Sequence, residues 1–223
     1  MRYLWLIIIT LSLGAHDLWI DTKDGQLTLF YGHYQSHDEE PTLPYESSSI
    51  TTILCDESGI IRSLPRPLAT PLRLPKSCNA LLVVKDSGFW TKSPYGTKHL
   101  PKTEVPTPLA SWKSLEIAQW IERGGTKALG EFLQFLITNP KPSPWKKGER
   151  IRLQLIKANR PIPNAPVAVN SRIRGVTDQE GRINLTLPEA GLVLISASHT
   201  TPYQGPEADS TITTTTLSLK VIP

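Results

Sequence analysis

The first part of the chain begins with a short hydrophobic segment. Residues 3–13 are a largely apolar run that follows a single positive charge at Arg2. A run of this length is too short to span a bilayer but is typical of a secretory signal peptide, and the small Ala15 offers a cleavage site. We therefore expect export with removal of residues 1–15, which leaves a mature chain that begins at His16 and has no transmembrane span.

Two apolar strands around a turn follow this segment. The Asp-Gly pair at residues 24–25 is typical of a two-residue type I′ hairpin turn. The register that such a turn sets places His16 directly opposite His33, with Cβ atoms about 4.5–5.5 Å apart. A three-residue loop would instead place His16 opposite Gly32. The two-residue turn therefore predicts a pair of imidazoles at the open end of the hairpin.

Short apolar runs recur along the rest of the chain, separated by connections rich in proline. The chain contains 20 prolines, and this pattern predicts an all-β fold with long loops. The apolar spacing within residues 111–125 differs, and with Ser111 as a cap it predicts one short helix. The three prolines of residues 139–149 predict a linker. We expect an N-terminal β domain over 16–138 and a C-terminal Ig-like β-sandwich over 150–223, the helix lying between the two sandwich parts.

The net charge and the cysteine content bear on the class of partner and on a possible disulfide bond. The formal net charge is +4 and no run of lysine or arginine stands out, so we expect no nucleic-acid partner. Cys55 and Cys78 are the only cysteines, and an exported chain could pair them. The alternative is two unpaired thiols, because the sequence does not supply the geometry that a disulfide requires.

The histidines are the candidate metal ligands. A free α-amino group has a pKa of about 7.7–8.0, so the amine and ring of a processed His16 could chelate one ion, with His33 as a third nitrogen ligand. Imidazole-rich sites suit nickel, cobalt, copper and zinc more than magnesium or calcium. His199 ends an apolar strand and is either a core residue or a ligand from the C-terminal part. His37 and His99 lie in predicted loops, and the sequence assigns them no role.

Four segments resemble one family of bacterial exported proteins of unknown function. They are AHDLW at 15–19, YGH at 31–33, the long segment 129–169, and VTDQEGRINLTLPEAGLVLISASH at 176–199. Each segment alone is weakly specific, but the four occur in the order typical of the family. The chain departs from the pattern at Leu192, where the family has a tryptophan, and its proline-rich middle section does not align.

The resemblance implies a function in metal uptake. Members of the family are commonly described as the periplasmic component of cobalt or nickel uptake systems. This implies capture of nickel or cobalt outside the inner membrane and delivery to an inner-membrane metal transporter. By match to the family, His16, His33 and His199 are the candidate ligands.

Three alternatives remain open at this point. One is a periplasmic copper carrier, which also begins with a histidine, and another is a copper-dependent polysaccharide monooxygenase with an N-terminal histidine brace. The enzyme would need a flat face with exposed aromatic side chains. A third is a structural Ig-like module in which the histidines are incidental. The sequence contains no nucleophile elbow, phosphate loop, HExxH or CxxC pair, so we expect no catalytic turnover.

Overall fold

The computed structural model describes residues 17–34, 44–66, 70–122, 126–141 and 144–223. Within these ranges the chain forms β-strands and two 3-10 helices of three residues each, at Ser47–Ser49 and Lys102–Glu104, but no α-helix. None of the described segments is a helix long and apolar enough to cross a membrane. The strands are β1 (Asp17–Lys23), β2 (Gln26–Gly32), β3 (Ile50–Glu57), β4 (Ile60–Ser63), β5 (Arg73–Leu74), β6 (Ala80–Ser93), β7 (Gly96–Lys98), β8 (Ala110–Ile121), β9 (Gln134–Ile137), β10 (Trp145–Lys146), β11 (Arg150–Lys157), β12 (Arg160–Pro161), β13 (Pro166–Val169), β14 (Arg172–Val176), β15 (Arg182–Thr186), β16 (Gly191–Pro202) and β17 (Ser210–Ile222).

The strands form three sheets. The central sheet has ten strands, eight of them in the order β14-β13-β16-β17-β8-β6-β3-β4, while β10 pairs with β17 and β7 with β6. The hairpin sheet contains β1, β2 and β5, and the outer sheet contains β12, β11 and β15 with β9 on the other edge of β11. The prediction of an all-β, sandwich-like fold is therefore confirmed.

Each face of the central sheet packs against one of the smaller sheets. Successive side chains of a strand point to opposite faces, and β6 shows this alternation. On one face of β6, Ala80, Leu82 and Val84 belong to a cluster of buried apolar side chains that we call core 1, and this cluster also contains side chains of the outer sheet. On the other face, Leu81 and Val83 belong to a second cluster, core 2, which also contains side chains of the hairpin sheet. The molecule is thus a three-layered β structure with the central sheet in the middle.

The predicted helix over 111–125 is wrong, because most of this segment forms β8. Its buried residues are consecutive: Ile117 packs in core 1, while Ala118 and Trp120 pack in core 2. A strand covered on both faces buries every residue, so its apolar residues do not alternate and can imitate the spacing of a helix. Residues 123–125, which include the expected glycine stop, lie outside the described part of the chain.

The predicted boundary at 139–149 does not separate two sheets. β8, from the N-terminal part, pairs in parallel with β17, from the C-terminal part, over nine residue pairs. Core 1 contains residues from both parts. Trp145, inside the predicted linker, is only 3% exposed and pairs with Val221 at the edge of β17. Trp145 therefore attaches the described end of this segment to the central sheet.

The predicted hairpin is confirmed in its turn and its register. Leu18 pairs with Tyr31 and Ile20 with Leu29, as the two-residue loop requires. Asp24 has a φ of 50° and Gly25 a φ of 73°. Positive φ at both loop positions is the property of a type I′ turn, and it explains why the Asp-Gly pair fixes the register.

Cys55 and Cys78, whose pairing the sequence left open, form a disulfide bond. Their Cα atoms are 5.4 Å apart. Both cysteines are buried in core 2, so the bond ties β3 to the segment that leads into β6.

Candidate functional site

The open end of the β1–β2 hairpin brings ionisable side chains together against the central sheet. Asp17 is the first residue of β1 and pairs with Gly32, the last residue of β2, so His33 follows directly after the paired part of the hairpin. The charge of His33 lowers the pKa of the Asp17 carboxyl group, and the charge of Glu116, in β8, raises it. We call Asp17, Tyr31, His33, Lys85 and Glu116 the hairpin-end cluster.

Burial determines the electrostatics of this cluster. The pKa of Asp17 is raised above its ordinary value, chiefly because the carboxyl group is removed from water. A hydrogen bond from the backbone of Tyr34 and the charge of His33 partly offset this effect. Burial, followed by repulsion from Glu116, also raises the pKa of the Tyr31 hydroxyl group. Tyr31 is therefore a neutral phenol at physiological pH. A cation beside Asp17 would stabilise the ionised form of the Asp17 carboxyl group.

A buried ion pair lies beneath the hairpin end. Lys85 Nζ donates to Glu116 Oε2 at 2.9 Å, and Ser87 Oγ donates to the same oxygen at 2.8 Å. Lys85 Nζ also contacts Ser87 Oγ, and it lies 4.0 Å from the centre of the Tyr31 ring. The carboxylate of Glu116 is thus already bonded to a cation. Asp17 adds a second carboxylate to the cluster, and His33 adds an imidazole.

His199 is not part of this site. It shares a face of β16 with Ile195 and Ala197, both of which pack in core 1. The hairpin sheet covers the other face of the central sheet, where core 2 lies. Burial, followed by repulsion from Lys157 at the end of β11, lowers the pKa of the His199 imidazole. The prediction that His199 approaches the same ion as His33 is therefore wrong, because the central sheet separates them.

The remaining predicted ligands are only partly described. His16 and His37 lie outside the described residues. Within the described ranges, no group of three or more His, Cys, Asp or Glu side chains is arranged to hold a metal ion. The described part of the hairpin end therefore contains the imidazole of His33 and the carboxylate of Asp17.

His99 belongs to a groove next to the hairpin-end cluster. Its ring stacks on Trp90 with 4.5 Å between the ring centres, and its Nε2 lies 2.9 Å from the carbonyl oxygen of Ser87. The groove has a volume of about 660 Å³ and extends from Tyr31 and Lys85 to this stacked pair. The structure thus assigns His99 a packing role at the far end of the groove.

Two residues of the cluster, Lys85 and Glu116, are not predicted as site residues from the sequence. Glu116 falls within the predicted helix, and this hides its place on the face of a central strand. Lys85 does leave a signal, because it interrupts the apolar strand that begins at Ala80. A lysine at a position where the alternation predicts a buried side chain indicates a buried partner.

Comparisons with known proteins add little to this geometry. No family model matches the chain, and no curated protein matches it significantly. One solved structure, of the fibronectin(III)-like modules of Clostridium thermocellum CbhA, aligns with 94% of this chain and 93% of its own. The identity is 11% and the TM-score is 0.24, a likeness too weak to support an argument about fold or function.

Proposed function

We propose that the protein binds a divalent transition metal, nickel or cobalt, at the open end of the β1–β2 hairpin. The observation that carries this proposal is the hairpin register, which the structure describes from Lys23 and Gln26 outward to Asp17 and Gly32. If the same register continued by one residue, position 16 would lie opposite His33. A processed His16 would then contribute its amine and its ring nitrogen beside the His33 imidazole.

The surroundings of His33 suit this chemistry. Three neutral nitrogen ligands favour nickel, cobalt, copper or zinc. Asp17 adds a negative charge next to His33, and a bound cation would compensate the cost of burying that carboxylate. Because imidazole and amine ligands must lose their protons to bind a metal, affinity falls on acidification. Such a site is suited to reversible capture and release.

The role in uptake rests on the sequence resemblance. We infer that the protein is exported to the periplasm, holds the metal there, and delivers it to an inner-membrane transporter, without catalytic turnover. A cleaved signal peptide is essential to this proposal, because only cleavage before His16 creates the amine ligand. Mass spectrometry of the purified protein tests this step directly, since the mature chain should begin at His16.

Metal titration of the mature chain tests the site. We expect nickel and cobalt to bind in a one-to-one ratio and to stabilise the fold by about 2.7 kcal/mol at a hundredfold excess over Kd. His16→Ala and His33→Ala should each remove most of this effect. His199→Ala is the matched control and should bind metal normally, because it lies on the other face of the central sheet.

The placement of the amine gives a second test. One extra residue before His16 should weaken binding, because it separates the amine from its imidazole. Full affinity in the His33→Ala variant, or an unchanged melting temperature of the mature chain with nickel and with cobalt, would contradict the proposal. Copper binds such sites more tightly than nickel in any case, so the metal that co-purifies from the periplasm separates nickel or cobalt uptake from copper carriage.

The copper-dependent monooxygenase is the enzymatic alternative. It would use the same histidine pair and would need a flat face with several exposed aromatic rings. Among the described residues, Tyr95 is the only aromatic side chain that lies mostly in solvent, at 86% exposed, and it sits in the turn between β6 and β7. Incubation of the copper-loaded protein with polysaccharide, oxygen and a reductant distinguishes the two functions, because only the enzyme would release oxidised oligosaccharides.

A further inference from the structure

The outer face of the outer sheet carries a row of arginines. Ile151, Leu153 and Leu155 of β11 are fully buried in core 1, so the residues that alternate with them along the strand point away from core 1. Arg150 and Arg152 are two of these outward residues, and both are exposed. They lie about 7 Å apart along the strand.

A third arginine extends this row across the sheet. Arg182 of β15 pairs with Gln154, and Asn184 pairs with Arg152. Arg182 is therefore the diagonal neighbour of Arg152, at about 7–8 Å. The three arginines form a continuous oblique row across β11 and β15.

The row lies in a groove with a polar lining. The groove has a volume of about 750 Å³, and Thr138, Gln154, Asn184 and Thr186 line it beside the arginines. These four side chains offer hydroxyl and amide groups that both donate and accept hydrogen bonds. No aromatic residue is among the described residues that line the groove. We call this feature the arginine groove.

The three arginines carry more positive charge than the described residues of the groove neutralise. None of the ion pairs found there includes Arg150, Arg152 or Arg182. Asp178 is the acidic residue that lines the groove. Its Oδ1 already accepts the backbone N–H groups of Glu180 and Arg182, at 3.0 Å and 2.7 Å. Like charges on neighbouring strand positions repel each other, so an anion bound between the arginines would reduce this repulsion.

The chemistry of the lining selects the class of anion. A guanidinium group binds carboxylate, sulfate or phosphate oxygens through two parallel hydrogen bonds. A protein partner is generally anchored by aromatic or apolar side chains in the centre of its interface, and single-stranded nucleic acids stack on aromatic rings. The arginine groove has no aromatic lining, and its apolar residues, Leu153, Ile183 and Leu185, pack in core 1 instead of presenting their side chains to a partner. Its hydroxyl and amide groups instead suit a ligand that carries hydroxyl groups between its charges.

We propose that the arginine groove binds an anionic polysaccharide, a linear sugar chain that carries carboxylate or sulfate groups. This site is independent of the proposed metal site, because it lies on the outer sheet, and the central sheet and core 1 separate it from the hairpin sheet. The row of arginines would hold successive acidic groups of the chain. The hydroxyl and amide side chains would bind the sugar hydroxyl groups between them.

Binding of defined polymers to the mature chain tests this proposal. The probes are polygalacturonate, which carries carboxylates, dextran sulfate, and uncharged dextran as the control. We expect one or both anionic polymers to bind, with affinity that falls as salt is raised because bound counterions are released. Uncharged dextran should bind at least tenfold more weakly than the anionic polymer that binds best.

Two triple variants distinguish binding at the arginine groove from general attraction between the polymer and the positively charged protein. Arg150→Gln, Arg152→Gln and Arg182→Gln together should lower the affinity at least tenfold. The control replaces three exposed arginines of the central sheet, at positions 62, 172 and 174, by glutamine and loses the same charge. It should lower the affinity less than about threefold. Melting temperatures of both variants establish that each one folds.

Four outcomes would overturn the proposal. The first is that neither anionic polymer binds, and the second is that uncharged dextran binds equally well. The third is an equal loss of affinity in the two triple variants, which would show general charge attraction. The fourth is tighter arginine-dependent binding of double-stranded DNA, an acidic peptide or phosphatidylglycerol vesicles, which would assign the groove to another class of ligand.

Discussion

The backbone N–H of Ile20 donates a hydrogen bond to Oγ of Ser218, with 3.1 Å between the two atoms. Ile20 lies in β1 and Ser218 lies in β17, 198 positions further along the chain. Both residues are fully buried. The hydrogen bond therefore joins the hairpin that carries the candidate site to the last strand of the central sheet.

Ser218→Ala should destabilise the fold by about 1–3 kcal/mol, because it leaves the buried N–H of Ile20 without an acceptor. Ser198→Ala, on the neighbouring strand β16, removes a hydroxyl that is exposed and should change the stability by less than about 0.5 kcal/mol. Urea unfolding of both variants measures the difference. Equal stability in the two variants would show that the bond contributes nothing to docking of the hairpin.

The buried ion pair between Lys85 and Glu116 should contribute more to the stability of the fold than the more exposed ion pair between Lys113 and Asp86. The side chains of Lys85 and Glu116 are only 7% and 12% exposed. Lys85→Met leaves a buried carboxylate without its cation and should cost about 3–5 kcal/mol. In the double variant Lys85→Met, Glu116→Leu the unpaired charge is gone, so most of this loss should be recovered.

A second ion pair on the same two strands provides the control. Lys113 Nζ lies 2.9 Å from Asp86 Oδ2, and both side chains are more than a quarter exposed. Lys113→Met should therefore cost at most about 1 kcal/mol. Denaturant unfolding of all three variants gives the comparison. A double variant as unstable as Lys85→Met would contradict the explanation by an unpaired charge.

The hairpin could be predicted from sequence because its information is local. Two residues with positive φ, Asp24 and Gly25, determine the turn, and the turn fixes every pair of the register. The all-β class followed in the same way from short apolar runs between prolines. In both cases the decisive residues are adjacent in the chain.

The predictions that were wrong concern structural properties that depend on residues far apart in the sequence. The strand nature of residues 110–121 follows from burial on both faces, and this requires the hairpin sheet and the outer sheet to be in place. The separation of His199 from His33 likewise depends on which face of β16 each small sheet covers. Neither property is encoded in the spacing within one segment, and the same holds for the pair of Lys85 and Glu116.

The disulfide should contribute about 3 kcal/mol to stability in the chain-entropy model, because it closes a loop over a sequence separation of 23. Denatured, non-reduced protein should therefore contain no reactive thiol. The double variant Cys55→Ala, Cys78→Ala should unfold at a lower denaturant concentration than the oxidised protein. If reduction of the native protein leaves the unfolding midpoint unchanged, the bond has no stabilising role.

His199 should make the fold sensitive to acid. Burial, followed by repulsion from Lys157, lowers the pKa of its imidazole below the ordinary value of 6.5. The unfolded chain therefore takes up the proton first as the pH falls, and the free energy of unfolding decreases. This contribution is fully present above about pH 6.5 and is lost as the pH falls through the pKa of the folded state.

The measurement is the free energy of unfolding of the wild-type chain minus that of His199→Gln, in the presence of a chelator. We expect this difference to decrease between about pH 7.5 and about pH 5, because glutamine does not titrate. Lys157→Gln should reduce the acid sensitivity only in part, since burial is the larger cause of the lowered pKa. A difference that stays constant over this range, or that increases on acidification, would show that the folded state does not disfavour the protonated imidazole.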